Sequence, residues 1–180
     1  TLQIRERQAV ALLAVGEVFL VSEDGAVFKR VSADDPVDLP VITGVDRERF
    51  TRDRAFRTSV LLEAVALLSD YRGAGLWRRE PIEELHVERD DGLSLYAGAD
   101  PTYVRLGHGP FRQKLRRLRT VLDELGHDQE HRAAHRERGA RAAYVYLDNE
   151  RRPDRVTVRI RDDAESTEAT PEASPEPPAT

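Results

Sequence analysis

His127-Asp128-Gln129-Glu130-His131 is the stretch whose residue types and spacing come nearest to a reaction. On a helix, positions four apart share a face. His127 and His131 would then offer two imidazoles to one zinc ion, with Glu130 beside them as the base that activates a metal-bound water. His135 continues the spacing. That arrangement is the signature of a zinc-dependent hydrolase. A catalytic helix is normally held by a packed apolar face. Here only Ala133 and Ala134 are apolar, and the stretch follows Gly126, which reads as a helix-terminating C′ residue. A solvated helix or loop is therefore expected, with the hydrolase as the alternative reading.

The other chemical candidates are weaker. Gly107-His108-Gly109 precedes a helical pattern and could place an anion at a helix N-terminus, but it lacks a full glycine-rich phosphate fingerprint. Arg112, Arg116, Arg117 and Arg119 form a basic helical face that could follow phosphates, yet no aromatic platform accompanies them, so nucleic acid is not expected. The chain has no cysteine, which excludes thiolate metal sites and disulfides. No Ser/His/Asp constellation has local support, and no cofactor is implied.

The elements that would carry such residues are read from periodicity. Leu2-Gln3-Ile4-Arg5 alternates as a short strand, and Ala9 to Ala14 is an apolar run ended by Gly16. Glu17–Val21 and Ala26–Val31 flank an Asp24-Gly25 turn, a strong hairpin signal. Leu39 to Gly44 is a short buried segment. From about Asp53 the period becomes helical, with Val60, Ala64, Leu67 and Tyr71 on one stripe and Leu61, Val65 and Leu68 widening it. Ile82–Glu88 and Leu93–Ala97 surround Asp91-Gly92, and Thr102–Leu106 is a further strand. Pro110 suits a first helical position, and Phe111, Leu115, Leu118, Leu122 and Leu125 share a helical face. The last ordered piece is a hairpin from Ala142 to Arg161. Ala143, Val145 and Leu147 share one face, with Tyr144 and Tyr146 on the other. Val156, Val158 and Ile160 share a face, with Arg155, Thr157, Arg159 and Arg161 opposite and Pro153 in the loop. The fold class is α+β: an antiparallel sheet with helices packed on one face. A terminal strand with arginines on one side is a plausible sheet edge, whose unpaired backbone groups another chain can use.

Charge is unevenly spread. Residues 162–180 hold six acids and no Lys or Arg; taking that tail's −6 from the overall −5 leaves residues 1–161 at +1. The tail, rich in Pro, Ser, Thr, Ala and Glu, is expected to be disordered. The near-neutral remainder gives no support for nucleic acid or an anionic membrane. The longest apolar run falls far short of a membrane span. There is no methionine, even at residue 1, so the chain is expected to derive from a longer protein, with any membrane anchor upstream.

The order of short motifs is more specific than any one of them. Ile4-Arg5-Glu6-Arg7-Gln8-Ala9-Val10-Ala11 resembles the v-x-E-R-x-P-v-A stretch that ends the POTRA domain in the FtsQ/DivIB cell-division family, with Gln8 where proline is usual. Leu20 to Phe28 is similar to that family's l-v-D-x-x-G-x-v-f, and Leu39 to Gly44 to its L-P-x-l-x-G. Gly92-Leu93-Ser94-Leu95, Val104-Arg105-Leu106-Gly107, Lys114-Leu115-Arg116-Arg117-Leu118 and Arg155-Val156-Thr157-Val158-Arg159 follow in family order. The resemblance implies residues 1–8 as the end of a truncated POTRA domain, 9–161 as an FtsQ-like β domain and 162–180 as a tail. It implies a non-catalytic scaffold in a single-pass inner-membrane protein, with this region on the periplasmic side, and FtsB-like and FtsL-like partners. FtsB-like docking by strand addition would use Arg155, Val156, Thr157, Val158, Arg159, Ile160 and Arg161. Tyr144 and Tyr146 would be aromatic anchors, and Arg89 aligns with a family arginine that pairs with an acid on FtsB. Tyr146-Leu147-Asp148 stands where the family commonly has acid-apolar-arginine, and the tryptophan usual near Arg89 is absent. A secretion or outer-membrane assembly factor is a third reading, resting on the first dozen residues alone.

Overall fold

Two Asp-Gly turns close hairpins as their sequence demands, and a nine-stranded sheet grows around them. The computed structural model describes residues 7–35, 37–99, 101–134, 141–149, 152 and 155–161. The strand expected at Leu2–Arg5 and the tail at 162–180 lie outside the described residues. In chain order the elements are β1 (Ala9–Val15), β2 (Glu17–Ser22), β3 (Val27–Arg30), β4 (Val41–Thr43), α1 (Arg47–Arg52), α2 (Arg54–Gly73), β5 (Ile82–Val87), β6 (Leu93–Ala97), β7 (Thr102–Gly107), α3 (Phe111–Ala134), β8 (Arg141–Tyr146) and β9 (Thr157–Arg161).

The strands lie in the order β3-β2-β1-β4-β5-β6-β7-β8-β9. The sheet is mixed, which corrects the expectation of a purely antiparallel one: β1/β4, β4/β5 and β7/β8 are parallel. For the last two the reason is a helical crossover, whereas β1 and β4 are separated by the β2–β3 hairpin. A helix between neighbouring strands carries the chain back to its starting end, so the next strand runs in the same direction. Helices α1 and α2 do this between β4 and β5, and α3 does it between β7 and β8. Hairpins remain antiparallel at β2/β3, β5/β6 and β8/β9.

Helix α2 begins where Asp53 accepts a hydrogen bond from the Phe56 backbone N–H at 3.0 Å. Its stripe of Phe56, Val60, Leu61, Ala64, Leu67, Leu68 and Tyr71 is buried. Helix α3 adds Phe111, Leu115 and Leu118, and one face of the sheet supplies Leu13, Ile42, Leu85, Leu95, Val104, Leu106 and Val145 to the same core. Each large side chain fully buried there contributes roughly 1.5–3 kcal/mol. Helices α2 and α3 lie against one another, and Arg112 joins them through Asp70 at 2.9 Å. The short α1, capped by Asp46 at 2.6 Å from the Arg49 N–H, was not anticipated from the sequence.

Two local expectations change. Helix α3 does not stop at Gly126 but continues to Ala134. The Arg79 guanidinium occupies the space that a Gly126 Cβ would fill and donates to the Leu122 carbonyl at 3.0 Å. Glycine at 126 thus serves close packing rather than termination. In β8 a bulge between Ala142 and Tyr144 puts Ala142, not Ala143, in the core with Val145 and Leu147.

Candidate partner-binding edge

β9 is one margin of the sheet and β3 the other. Among the described residues no strand pairs with the outer side of β9, so its outward backbone groups are available to another chain. Its inner side is fixed by β8: Thr157 lies opposite Tyr146, Val158 opposite Val145, Arg159 opposite Tyr144 and Ile160 opposite Ala142. Val156 and Val158 are half-buried against the core, whereas Ile160 is 48% exposed. Arg155 and Arg159 are exposed. The period-two expectation for this strand therefore holds, with Val156, Val158 and Ile160 on the core-facing side.

Tyr144 and Tyr146 point to the opposite, open face, but not as isolated anchors. The Tyr144 ring stacks on Tyr103 at 5.2 Å and 14°, and on Tyr146 at 6.3 Å and 9°. Tyr96 meets Tyr103 edge-on at 5.2 Å. Four tyrosines thus form a ladder across β6, β7 and β8, in which Tyr144 stacks on two neighbouring rings. Burial and the nearby Tyr146 push the Tyr144 phenol above its ordinary value. The ladder stiffens the sheet up to the strand that carries β9. Tyr96 and Tyr103 were not singled out from sequence, although each shares the alternation phase of the open face.

Beside the ladder lies Arg105, a residue that sequence reasoning quoted only within a motif. It is 17% exposed and reaches Asp90 at 2.6 Å, Glu88 at 3.3 Å and Asp148 at 3.7 Å. Glu88 also accepts hydrogen bonds from Ser94 and Tyr103, both at 2.6 Å. Burial alone would raise the Glu88 carboxyl, but these two hydrogen bonds and the Arg105 charge outweigh it, and Glu88 is held below the ordinary carboxylate value. For Asp90, burial is likewise outweighed by the Gly92 N–H and Arg105, and its value is also lowered. Lys114 on α3 donates to the Leu106 carbonyl at 2.5 Å and lies 3.2 Å from Asp148. These contacts tie β5, β6, β7, α3 and the end of β8 into one rigid unit, the frame on which β9 is laid.

Arg89 is exposed on the β5–β6 turn and lines an open concavity of about 750 Å³ with Arg49, Phe56, His86 and Asp91. The ladder of registers places this turn at the end of the sheet where β8 finishes and β9 begins. β5 is four strand steps from β9, so Arg89 and the edge are about 19 Å apart across the sheet, not one cluster.

The remaining candidates are accounted for by the protein's own contacts. At Gly107-His108-Gly109 the Gly109 N–H donates to the Glu63 carboxylate at 3.0 Å, and that carboxylate lies 3.5 Å from the His108 ring. An acid from α2 fills the position an external anion would take, which corrects the anion-site reading. Arg119 donates to the Ala74 carbonyl at 3.3 Å and so serves helix packing, as Arg112 does. His127, Glu130 and His131 stand on the last turns of α3, and their side chains lie outside the described residues. Among the described residues no group of three metal-ligating side chains comes together, and no helix is long and apolar enough to cross a membrane.

The sequence model for the C-terminal part of cell division protein FtsQ/DivIB matches residues 9–148. The chain is 41% identical over 158 residues to "Cell division protein FtsQ" of Anaeromyxobacter sp. (strain K), covering 88% of this chain and 50% of that protein. It is 36% identical over 160 residues to the protein of the same name from Myxococcus fulvus, covering 89% and 52%. It is 33% identical over 125 residues to the one from Geotalea daltonii, covering 69% and 46%. The chain spans about half the length of the curated relatives it matches. The family match ends at Asp148, just after β8, so β9 lies beyond it.

Proposed function

Because this chain belongs to the FtsQ/DivIB family of non-catalytic cell-division proteins, we propose that it is a divisome scaffold domain that recruits FtsB-like and FtsL-like partners by adding a partner strand to β9 during septum formation. The observation that carries this reading is the position of β9. It closes the strand order with one side backed by β8 and the other without a strand among the described residues. Backbone hydrogen bonds along that side would supply affinity, and side chains alternating between the two faces would supply specificity. Within the whole protein, the domain would sit on the periplasmic side of the inner membrane, carried by an upstream single-pass anchor. Arg89, at the matching end of the sheet, would make a second, separate contact with an acid on the partner.

The test is binding of the purified chain to a peptide from the C-terminal region of the organism's FtsB-like protein, repeated with Val158→Pro. Proline removes a backbone donor and is incompatible with a paired strand. Micromolar or tighter binding that the proline variant loses, with the melting transition of the domain retained, supports strand addition at β9. Undiminished binding by Val158→Pro would place the partner elsewhere.

A further inference from the structure

Four of the chain's five tyrosines, Tyr96, Tyr103, Tyr144 and Tyr146, stand together on the open face of the sheet, and the fifth, Tyr71, is in the core. All four are half-buried, and none belongs to the core that the other face shares with α2 and α3. The registers set three of them in one row. Arg159 of β9 lies opposite Tyr144, Tyr144 opposite Tyr103, and Tyr103 opposite Tyr96, with Glu84 beyond at the far end. Glu88 takes the Tyr103 hydroxyl, whereas among the described residues the hydroxyls of Tyr96, Tyr144 and Tyr146 meet no partner. Arg155 and Arg159 are exposed at the near end, and among the described residues neither forms an ion pair.

A row of aromatic surface with phenol donors, closed at one end by two cations, suits an acidic, proline-rich segment. Proline rings pack on aromatic side chains, and a run of prolines leaves its carbonyls without internal partners, so that phenols can donate to them. Carboxylates pair with the arginines. The chain carries such a segment in residues 162–180, where Asp162, Asp163, Glu165 and Glu168 come first and Pro171, Pro175, Pro177 and Pro178 follow. That order matches the row. β9 bears the arginines and leads directly into the acids, and the tyrosines lie farther from it. In polyproline geometry residues 171–178 would extend about 25 Å, which exceeds the roughly 14 Å of three strand steps from β9 to β6. Residues 162–170 give enough chain to turn from the edge onto the face. Glu84 at the far end disfavours the reverse direction, which would bring the acids beside it.

We infer that residues 162–180 fold back over the open face of the sheet, with their acids at Arg155 and Arg159 and their prolines along the row of Tyr144, Tyr103 and Tyr96. The inference does not rest on strand addition to β9, because the tail covers a face and an added strand takes an edge. Tethering makes weak contacts sufficient, since a segment held on a short leash is presented at roughly millimolar effective concentration. Proline also reduces the conformational freedom that docking removes.

The chain has no cysteine, so Ser174→Cys in the full chain gives a single site for a nitroxide spin label in the tail. The backbone amide signals of Tyr96, Tyr103 and Tyr144 are expected to lose intensity while the label is paramagnetic and to regain it when the label is reduced. Those of the exposed Leu62 on α2 and Arg116 on α3 should keep theirs. Arg155→Gln with Arg159→Gln should return most of the lost intensity, and so, separately, should serine at Pro171, Pro175, Pro177 and Pro178. High salt should weaken the contact in the same direction. Both sets of substitutions lie on the surface or in the tail, and an unchanged pattern of sheet amide signals verifies that the fold is kept. No loss along the tyrosine row, a loss centred on the helices, or a loss indifferent to either set of substitutions overturns the inference. Mixing spin-labelled chains with unlabelled, isotopically enriched ones tests for exchange between copies: an equal loss in the enriched chains would assign the contact to a neighbouring molecule and overturn the fold-back.

Discussion

The Asp148 carboxylate lies directly over Gly107, in the space where any other residue would carry its Cβ. From there it faces Lys114 at 3.2 Å and Arg105 at 3.7 Å, and so joins the end of β8 to β7 and α3. Gly107 also has φ +63, a backbone conformation that favours glycine. Gly107→Ala should cost at least about 1–3 kcal/mol from the backbone conformation alone, with displacement of Asp148 adding to it. Urea denaturation of the variant measures this. A loss within a few tenths of a kcal/mol would show that Asp148 does not need that close approach.

Stability should fall as pH drops into the carboxylate range. Glu88 and Asp90 have folded-state values below their ordinary ones of 4.5 and 3.8. Their contribution is fully present above the unfolded values and is lost as pH falls through the lowered folded ones. Tyr103→Phe removes one of the hydrogen bonds that lower Glu88, so its denaturation midpoint should decline less between pH 6 and pH 3 than that of the wild type. An identical decline would mean that the Tyr103 hydroxyl does not hold Glu88 ionised.

Gly126→Ala offers an unusual sign. Glycine in a helix interior ordinarily costs about 1 kcal/mol relative to alanine. Here the new methyl would overlap the Arg79 guanidinium and disturb its bonds to the Leu122 carbonyl and to Asp123 at 2.5 Å. Gly126→Ala alone should therefore be neutral or destabilising, while the same change in an Arg79→Ala background should stabilise. A double-mutant cycle reads this coupling. Additive effects would show the overlap to be relieved at no cost.

Zinc should leave the domain indifferent. A structural or catalytic site through His127, Glu130 and His131 would raise the melting temperature on adding stoichiometric zinc and lower it with chelator. No change in either direction is expected, and Glu130→Gln should alter neither stability nor binding to the FtsB-like peptide. A stoichiometric zinc-dependent rise would revive the hydrolase reading.

What was legible in the sequence was local. Asp24-Gly25 and Asp91-Gly92 announce their hairpins because turn and register are set by neighbouring residues. The stripes of α2 and α3 follow from their 3.6-residue period. The parallel pairs were missed because they join strands that are not neighbours in the chain, across helices for Ile42 with Leu85 and Val104 with Val145 and across the β2–β3 hairpin for Leu13 with Ile42, and no short motif encodes them. Helix α1 escaped because six residues with Phe50 alone buried carry no readable period. At the edge, the alternation of β9 was plain, but the partners of Arg105 and the stacking of Tyr103 on Tyr144 depend on which strands lie side by side. That is a property of the whole sheet, not of any segment.

The strand order has a mechanical consequence. The chain enters the sheet at β1 and offers its margin at β9, six strand steps away, or about 29 Å. A pull between an attachment at the start of the domain and a strand seated on β9 would act across the strands, along the hydrogen bonds that join them, which is the direction in which a sheet is weakest. Helices α2 and α3, lashed together by Arg112 and Asp70, brace that span from behind. In that geometry the strand ladder itself offers little resistance, and holding two attachments apart would fall to the helices and the core they share with the sheet.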